Sequence, residues 1–322
     1  MPKEILETIL WVETTFTSFV GKINVNSPES SIPLELVSCL HLLSSIATFL
    51  DTFLEAYPQA VKRETQDADM DEDQGSGDEM EIDGCIPPID ATVLAELFHV
   101  IPMIIQHPLP VPLIPHALES INDIAWTMTT HVPELEGWEK IAASFLSFAT
   151  ERIEGMVSLG EDTLSTFLGC MWATAKAQVG KFTLDKDDIA LLKELYNRFP
   201  AGEFQAKIVG ILGIAAQFEN VVTNQHITEF FLLEITSPTA VVVVEIMDAL
   251  MEIFADGEKS YDAPVFVHGQ VLGKLKQAFP RLRKRLKAID PSKEPELRER
   301  ADGVMENFTE FIKYKENEAR QG

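Results

Sequence analysis

The sequence predicts an all-α fold, an α-solenoid of paired helices carrying a disordered acidic insertion. Three observations predict it. Apolar residues recur at helical spacing through most of the 322 residues, and no convincing alternating strand pattern interrupts them. The helical segments come in pairs joined by short turns. The stretch ETQDADMDEDQGSGDEMEID, residues 64–83, holds ten carboxylates and no Lys, Arg or His, so it has too little apolar surface to form a core.

Taken in order, the first 58 residues read as a helical hairpin, whose second helix runs through PLELVSCLHLLSSIATFLDTFLEAY and stops before Pro58. Residues 59–88 form the acidic loop. From 89 to 322 the chain returns to helices. Asp90 is placed to cap ATVLAELFHVIPMII, and a helix follows the proline-rich run 108–115 as far as about His131. Pro133 and Glu134 are expected to open the next helix, and Gly160 and Gly180 bracket the one after it. Further helices are expected at 185–199, 202–217, 222–236, 238–255, 264–279, 280–289 and 294–318.

The second helix of successive pairs looks alike: ALESINDIAWTMTTHV, TLSTFLGCMWATAKAQV, FQAKIVGILGIAAQF and AVVVVEIMDALMEIF. Aligning Ile121, Leu168, Ile208 and Ile246 gives intervals of 47, 40 and 38 residues, near the lengths of HEAT and armadillo units. One helix pair cannot hide its own apolar face, so neighbouring pairs stack and share a core. The almost wholly apolar second helices then lie between neighbouring units.

Composition narrows the function classes. The net charge of −25 repels nucleic acid and anionic membranes and attracts basic proteins. The apolar run HVIPMIIQHPLPVPLIPHAL is broken by five prolines and cannot span a bilayer. The N-terminal segment carries Glu4, Glu7 and Glu13 within its apolar pattern and does not read as a signal peptide. Three dispersed cysteines, Cys39, Cys85 and Cys170, suit a reducing compartment, so cytoplasm and nucleus are expected.

Catalytic signatures are missing: no G-x-S-x-G, Walker loop, G-x-G-x-x-G or H-E-x-x-H occurs. The seven histidines share no i, i+3 or i+4 spacing, so no metal site and no cofactor is expected. DADMDED lacks the glycine and closing glutamate of a calcium loop. Trp126 and Trp172 fall at comparable places in two repeats, which favours packing between units over ligand stacking. The basic run KLKQAFPRLRKRLK, 274–287, places Leu282, Leu286 and Ile289 at i, i+4 and i+7. It therefore reads as an amphipathic helix opened by Pro280, with a solvated basic face; the alternatives are a nuclear localisation signal or a contact to RNA or an acidic partner.

The acidic stretch is the candidate site. A plain spacer has no need of ten carboxylates, and long insertions between packed helices are usually functional. The expected partner-binding residues are Glu64, Asp67, Asp69, Asp71, Glu72, Asp73, Asp78, Glu79, Glu81 and Asp83, with Met70, Met80 and Ile82 as apolar anchor points. Ser76 to Glu79 also suits an acid-directed kinase.

The C-terminal sequence resembles the closing repeats of the symportin family. The resemblance rests on Tyr261-Asp262 followed by Val265-Phe266, on Lys287 with Ile289-Asp290, on LRERA at 297–301, and on Asn307 with FIKYK at 311–315. The acidic loop matches that family's long acidic loop in kind and position. Members are armadillo/HEAT-repeat adaptors that co-import two 5S-associated ribosomal proteins of the large subunit. The resemblance implies a non-enzymatic adaptor and chaperone in ribosome biogenesis. Its basic ribosomal cargo would be held at the acidic loop and the adjacent helical surface. Family members begin with a long armadillo half carrying a second cargo site and an import-receptor signal. This chain, with only two helices before the acidic loop, is expected to correspond to the C-terminal part. An import receptor would then be recruited through the upstream half. The alternative is a helical scaffold subunit in which the loop is a passive linker.

Overall fold

The computed structural model describes residues 2–20, 34–56, 89, 91–107 and 109–321. The elements among the described residues are helices joined by turns, with no β-sheet among them, and the chain divides into two compact units, Met1–Glu136 and Gly137–Gly322.

In the first unit, α1 (Pro2–Val20) and α2 (Leu34–Ala56) form one pair, and α3 (Ala91–Gln106) and α4 (Ile114–His131) form the next. A short 3-10 turn, Val111–Leu113, leads into α4, with Pro112 and Pro115 where a helix start tolerates them. α1 packs on α2 and α3, and α4 packs on α2 and α3. α2 has the length and composition of a membrane-spanning helix, with a mean hydropathy of 1.5 in its most apolar window. Packing of one face accounts for part of that: Leu36, Leu40, Leu43, Ala47, Leu50 and Leu54 are buried, while Leu34 and Phe49 are exposed. Bonds from one second helix to the next run in parallel register. The Ser120 hydroxyl donates to the Leu40 carbonyl, and that of Thr127 to the Ala47 carbonyl. Parallel stacking of every second helix is the arrangement of helical repeats.

The second unit contains four pairs: α5 (Trp138–Leu159) with α6 (Glu161–Lys176), α7 (Lys186–Arg198) with α8 (Gly202–Ala215), α9 (Val221–Glu234) with α10 (Ala240–Phe254), and α11 (Val271–Leu286) with α12 (Pro295–Gln321). α6, α8, α10 and α12 stack in that order. α8 is buried along nearly its whole length. Two glycines admit its neighbours. A Cβ at Gly210 would overlap the Trp172 indole of α6, and one at Gly213 would lie 2.8 Å from the Ala249 Cβ of α10. Trp172 thus packs between successive repeats, as its place in the repeat predicts. Leu168, Ile208 and Ile246 are each fully buried in this stack, and Ile121 is buried in α4 of the first unit.

Local signals set several boundaries. Asp185 and Asp188 form a reciprocal capping box on α7, and Asn220 caps α9. Two expectations need correction. Pro133 and Glu134 do not open a helix; α5 begins at Trp138, after a turn closed by Gly137 at φ 113°. The left-handed glycine resets the chain direction where a proline followed by an acid had looked like a start. Nor does Pro280 open a helix, because it lies inside α11. Pro280 is exposed, so its ring and missing N–H fall on the solvent side of the helix. A π-helical segment, Asp262–Val267, precedes α11 where an ordinary helix from 264 is expected. Asp90, the expected cap of α3, lies outside the described residues.

Candidate functional site

The ten carboxylates of the acidic stretch, from Glu64 to Asp83, lie outside the described residues. What the structure fixes is their frame. The stretch connects Ala56 at the end of α2 to Ala91 at the start of α3, so it joins two helix pairs of one compact unit. That unit is poor in cations. Residues 1–136 contain only Lys3, Lys22, Lys62 and Arg63 among the 26 Lys and Arg of the chain. Of these only Lys3 is described, and it pairs with Glu7 at 3.6 Å. Burial and the nearby Glu96 push the Glu13 carboxyl above its ordinary range, as expected where negative groups outnumber cations.

A polar seam runs along the contact between α2 and α4. His41 Nε2 lies 3.3 Å from His116 Nδ1, with ring centroids 5.1 Å apart at 71°. One turn beyond His116, Glu119 brings a carboxylate oxygen close enough that all three potential ligand atoms lie within 4.8 Å of one another. Further along, the Ser44 hydroxyl donates to Asp123, and His131 Nε2 meets Asp51 Oδ1 at 3.0 Å. Burial raises the Asp123 carboxyl, although Ser44 and Asn122 pull it down. Sequence reasoning missed this juxtaposition, because the partners are 75–80 positions apart and meet only once two repeats stack in parallel. The available signal was the repeat interval itself, carried backward across the acidic insertion.

The basic run occupies α11 much as its amphipathic pattern predicts. Leu282, Leu286 and Ile289 are buried, while Lys274, Lys276, Arg281, Arg283, Lys284 and Lys287 are exposed. Two cations have structural work. Lys276 pairs with Glu316 of α12, and the Arg285 guanidinium donates to the Thr236 and Ser237 carbonyls just beyond α9. The others leave a positive face on an otherwise acidic protein.

The residues that carry the family resemblance converge in the last part of the second unit. Tyr261 is buried and donates to the Ile253 carbonyl at 2.9 Å. Asp262 pairs with the buried Lys315 at 3.0 Å, and the Lys315 ammonium also lies 5.0 Å from the Phe266 ring centroid. Within LRERA, Arg298 donates to the Lys287 carbonyl at 2.8 Å, and Arg300 bridges Glu245 and Asp248 of α10 at 2.5 and 3.0 Å. These are packing and capping roles: they hold the final helix pair to its neighbours. The buried cation is well accommodated, since a second carboxylate, Glu318, lies 2.9 Å from it.

Comparison with known proteins places this architecture. The family described as "SYO1-like, TPR repeats" matches residues 113–319, well over half of the chain. The chain belongs to this family. The name of its repeat differs from the HEAT/armadillo reading, but each denotes a stacked helix pair, which is what the structure contains. Curated relatives agree. The armadillo repeat protein involved in nucleocytoplasmic transport Syo2 of Schizosaccharomyces pombe is 27% identical over 213 residues, covering 62% of this chain and 32% of that protein. Synchronized import protein 1 of Saccharomyces cerevisiae is 28% identical over 236 residues, covering 64% of this chain and 37% of that protein. Symportin 1 of Chaetomium thermophilum is 25% identical over 231 residues, covering 63% and 34%. The chain thus spans about a third of the length of the curated relatives it matches. They are named for transport and import, and none for an enzymatic activity.

Proposed function

We propose that this chain is a non-enzymatic cargo-holding adaptor of nucleocytoplasmic transport, which binds a basic ribosomal protein of the 5S-associated class through the acidic stretch 64–83. The observation that carries the reading is a bare run of ten carboxylates, joining two helix pairs of a cation-poor unit, in a member of a family whose relatives are named for import. A newly made ribosomal protein presents Lys and Arg meant for rRNA phosphates, and carboxylates can occupy that surface in their place. The contacting groups are Glu64, Asp67, Asp69, Asp71, Glu72, Asp73, Asp78, Glu79, Glu81 and Asp83. Holding cargo in the cytoplasm and releasing it to rRNA in the nucleus requires no bound cofactor. It also makes the adaptor a chaperone in ribosome assembly. An import receptor is a further partner in this reading.

The exposed positive face of α11 favours a second reading, a scaffold that contacts an acidic partner while the acidic stretch serves as a linker. One experiment separates the two. Basic large-subunit ribosomal proteins are captured with this chain and with a version whose residues 64–83 are replaced by a neutral Gly/Ser linker. Loss of capture on replacement supports the cargo role. Equal capture by both versions removes the acidic stretch from the site and moves attention to the helical surface.

A further inference from the structure

We propose that His41, His116 and Glu119 form a binding site for one divalent transition-metal ion, with zinc the best match, clamping α2 to α4. In a tetrahedral zinc site with Zn–N bonds of about 2.0–2.1 Å, two imidazole nitrogens are about 3.3–3.4 Å apart. His41 Nε2 and His116 Nδ1 are 3.3 Å apart, so an ion equidistant from both reaches bonding distance without moving either helix. The rings meet at 71°, edge to face rather than stacked. Glu119 follows His116 at i+3 on the same face of α4, the spacing by which helical His/Glu pairs share a metal in bundle cores. Its carboxylate is exposed and free to rotate in, with all three ligand atoms already within 4.8 Å of one another. A water completes four-coordination.

The donor set also selects the ion. Two imidazoles and one carboxylate suit zinc, nickel, cobalt or copper, whereas calcium and magnesium require oxygen-rich shells. Rigidity supports the site: Leu40, Leu43, Ala117, Leu118, Ser120 and Ile121 around the ligands are buried, so the two histidines stand on packed helices. The two side chains also offer the ion more than they offer each other. Two neutral imidazoles at this distance share one proton in a single hydrogen bond, whereas a metal takes a lone pair from both.

The test titrates Zn2+ and, separately, Co2+ into the full chain and into the version with residues 64–83 replaced by Gly/Ser, each in excess Mg2+. Magnesium and the replacement together remove nonspecific condensation on the acidic stretch. The expected result is about one equivalent of zinc bound by both proteins, visible d–d absorption from tetrahedral Co2+, and a raised melting temperature. His41→Gln and His116→Gln should each weaken zinc at least about tenfold, with Glu119→Gln weakening it less. His41 and Glu119 are exposed, so those two variants report binding in a folded protein even if His116→Gln perturbs α4. Zinc that is displaced by magnesium, or that binds unchanged in His41→Gln and Glu119→Gln, overturns the proposal.

Discussion

At the residue scale, Asp123 is a test of how burial and local charge set stability in the first unit. Its carboxyl is lifted above its ordinary value chiefly by burial, with Glu119 adding to the lift and the Ser44 hydroxyl opposing it. A raised carboxylate binds its proton more tightly folded than unfolded. Folding stability therefore falls as pH rises from the ordinary value of 3.8 through the raised one, and the cost persists at neutral pH. Asp123→Asn keeps an acceptor for Ser44 and removes the charge. The variant should be more stable at neutral pH by about 0.5–1 kcal/mol after solvent screening, and the gain should vanish below the ordinary carboxylate pKa. Thermal melts of both proteins across the acid range check this; a gain that grows as pH falls would contradict it. The same scale explains why the resemblance residues were such good markers. Tyr261 and Phe266 both pack on Phe254, and Lys315 meets Asp262 and Phe266, so the four residues belong to one buried cluster.

At the element scale, α11 holds a proline where an uninterrupted helix would place an N–H. Pro280 lies on the solvent side, so Pro280→Ala adds one backbone hydrogen bond without disturbing the buried Leu275, Leu282 and Leu286. The variant should stabilise the chain by about 1–3 kcal/mol, part of the helix gain being offset by the freer unfolded chain. Chemical denaturation should show a higher midpoint with an unchanged slope; a lower midpoint would mean that the proline is needed for the local path of the helix. This element also marks where sequence legibility ends. Helix pairs and their stacking were legible because burial between repeats leaves an apolar period near forty residues, as Leu168, Ile208 and Ile246 show. The split at Pro280 was a misreading, because a proline's cost depends on which way its ring faces, and that is set by packing. The π-helical turn at Asp262–Val267 was illegible too: its first residue, Asp262, pairs with Lys315, 53 positions away. The acidic stretch could be read for its charge alone. The pairing of His41 with His116 could not be read at all without the parallel register of α2 and α4.

At the scale of the whole molecule, the charge is divided unevenly along the chain. The first 136 residues hold four of its 26 cations, while the region around α11 carries seven between Lys274 and Lys287. A protein built this way attracts a basic partner toward one part of its sequence and offers that partner little reason to approach α11. Long-range attraction of this kind is screened by salt over about 8 Å at physiological ionic strength, so its contribution shrinks as salt rises. Binding by the full chain should therefore weaken at least about tenfold between 50 and 300 mM salt, mostly through a slower association rate. The version with 64–83 replaced lacks ten negative charges, and its residual binding should change by less than about threefold over the same range. Reversing Lys274, Arg281 and Lys284 to glutamate should leave the salt dependence of the full chain intact, because these groups face solvent on a different unit. Association kinetics at several salt concentrations measure all three proteins together. An acidic stretch acting as the cargo clamp produces a steep dependence in the first and third and a shallow one in the second. Equal slopes in all three would place the electrostatic contact elsewhere, and a slope lost only in the α11 variant would make that basic helix the contact.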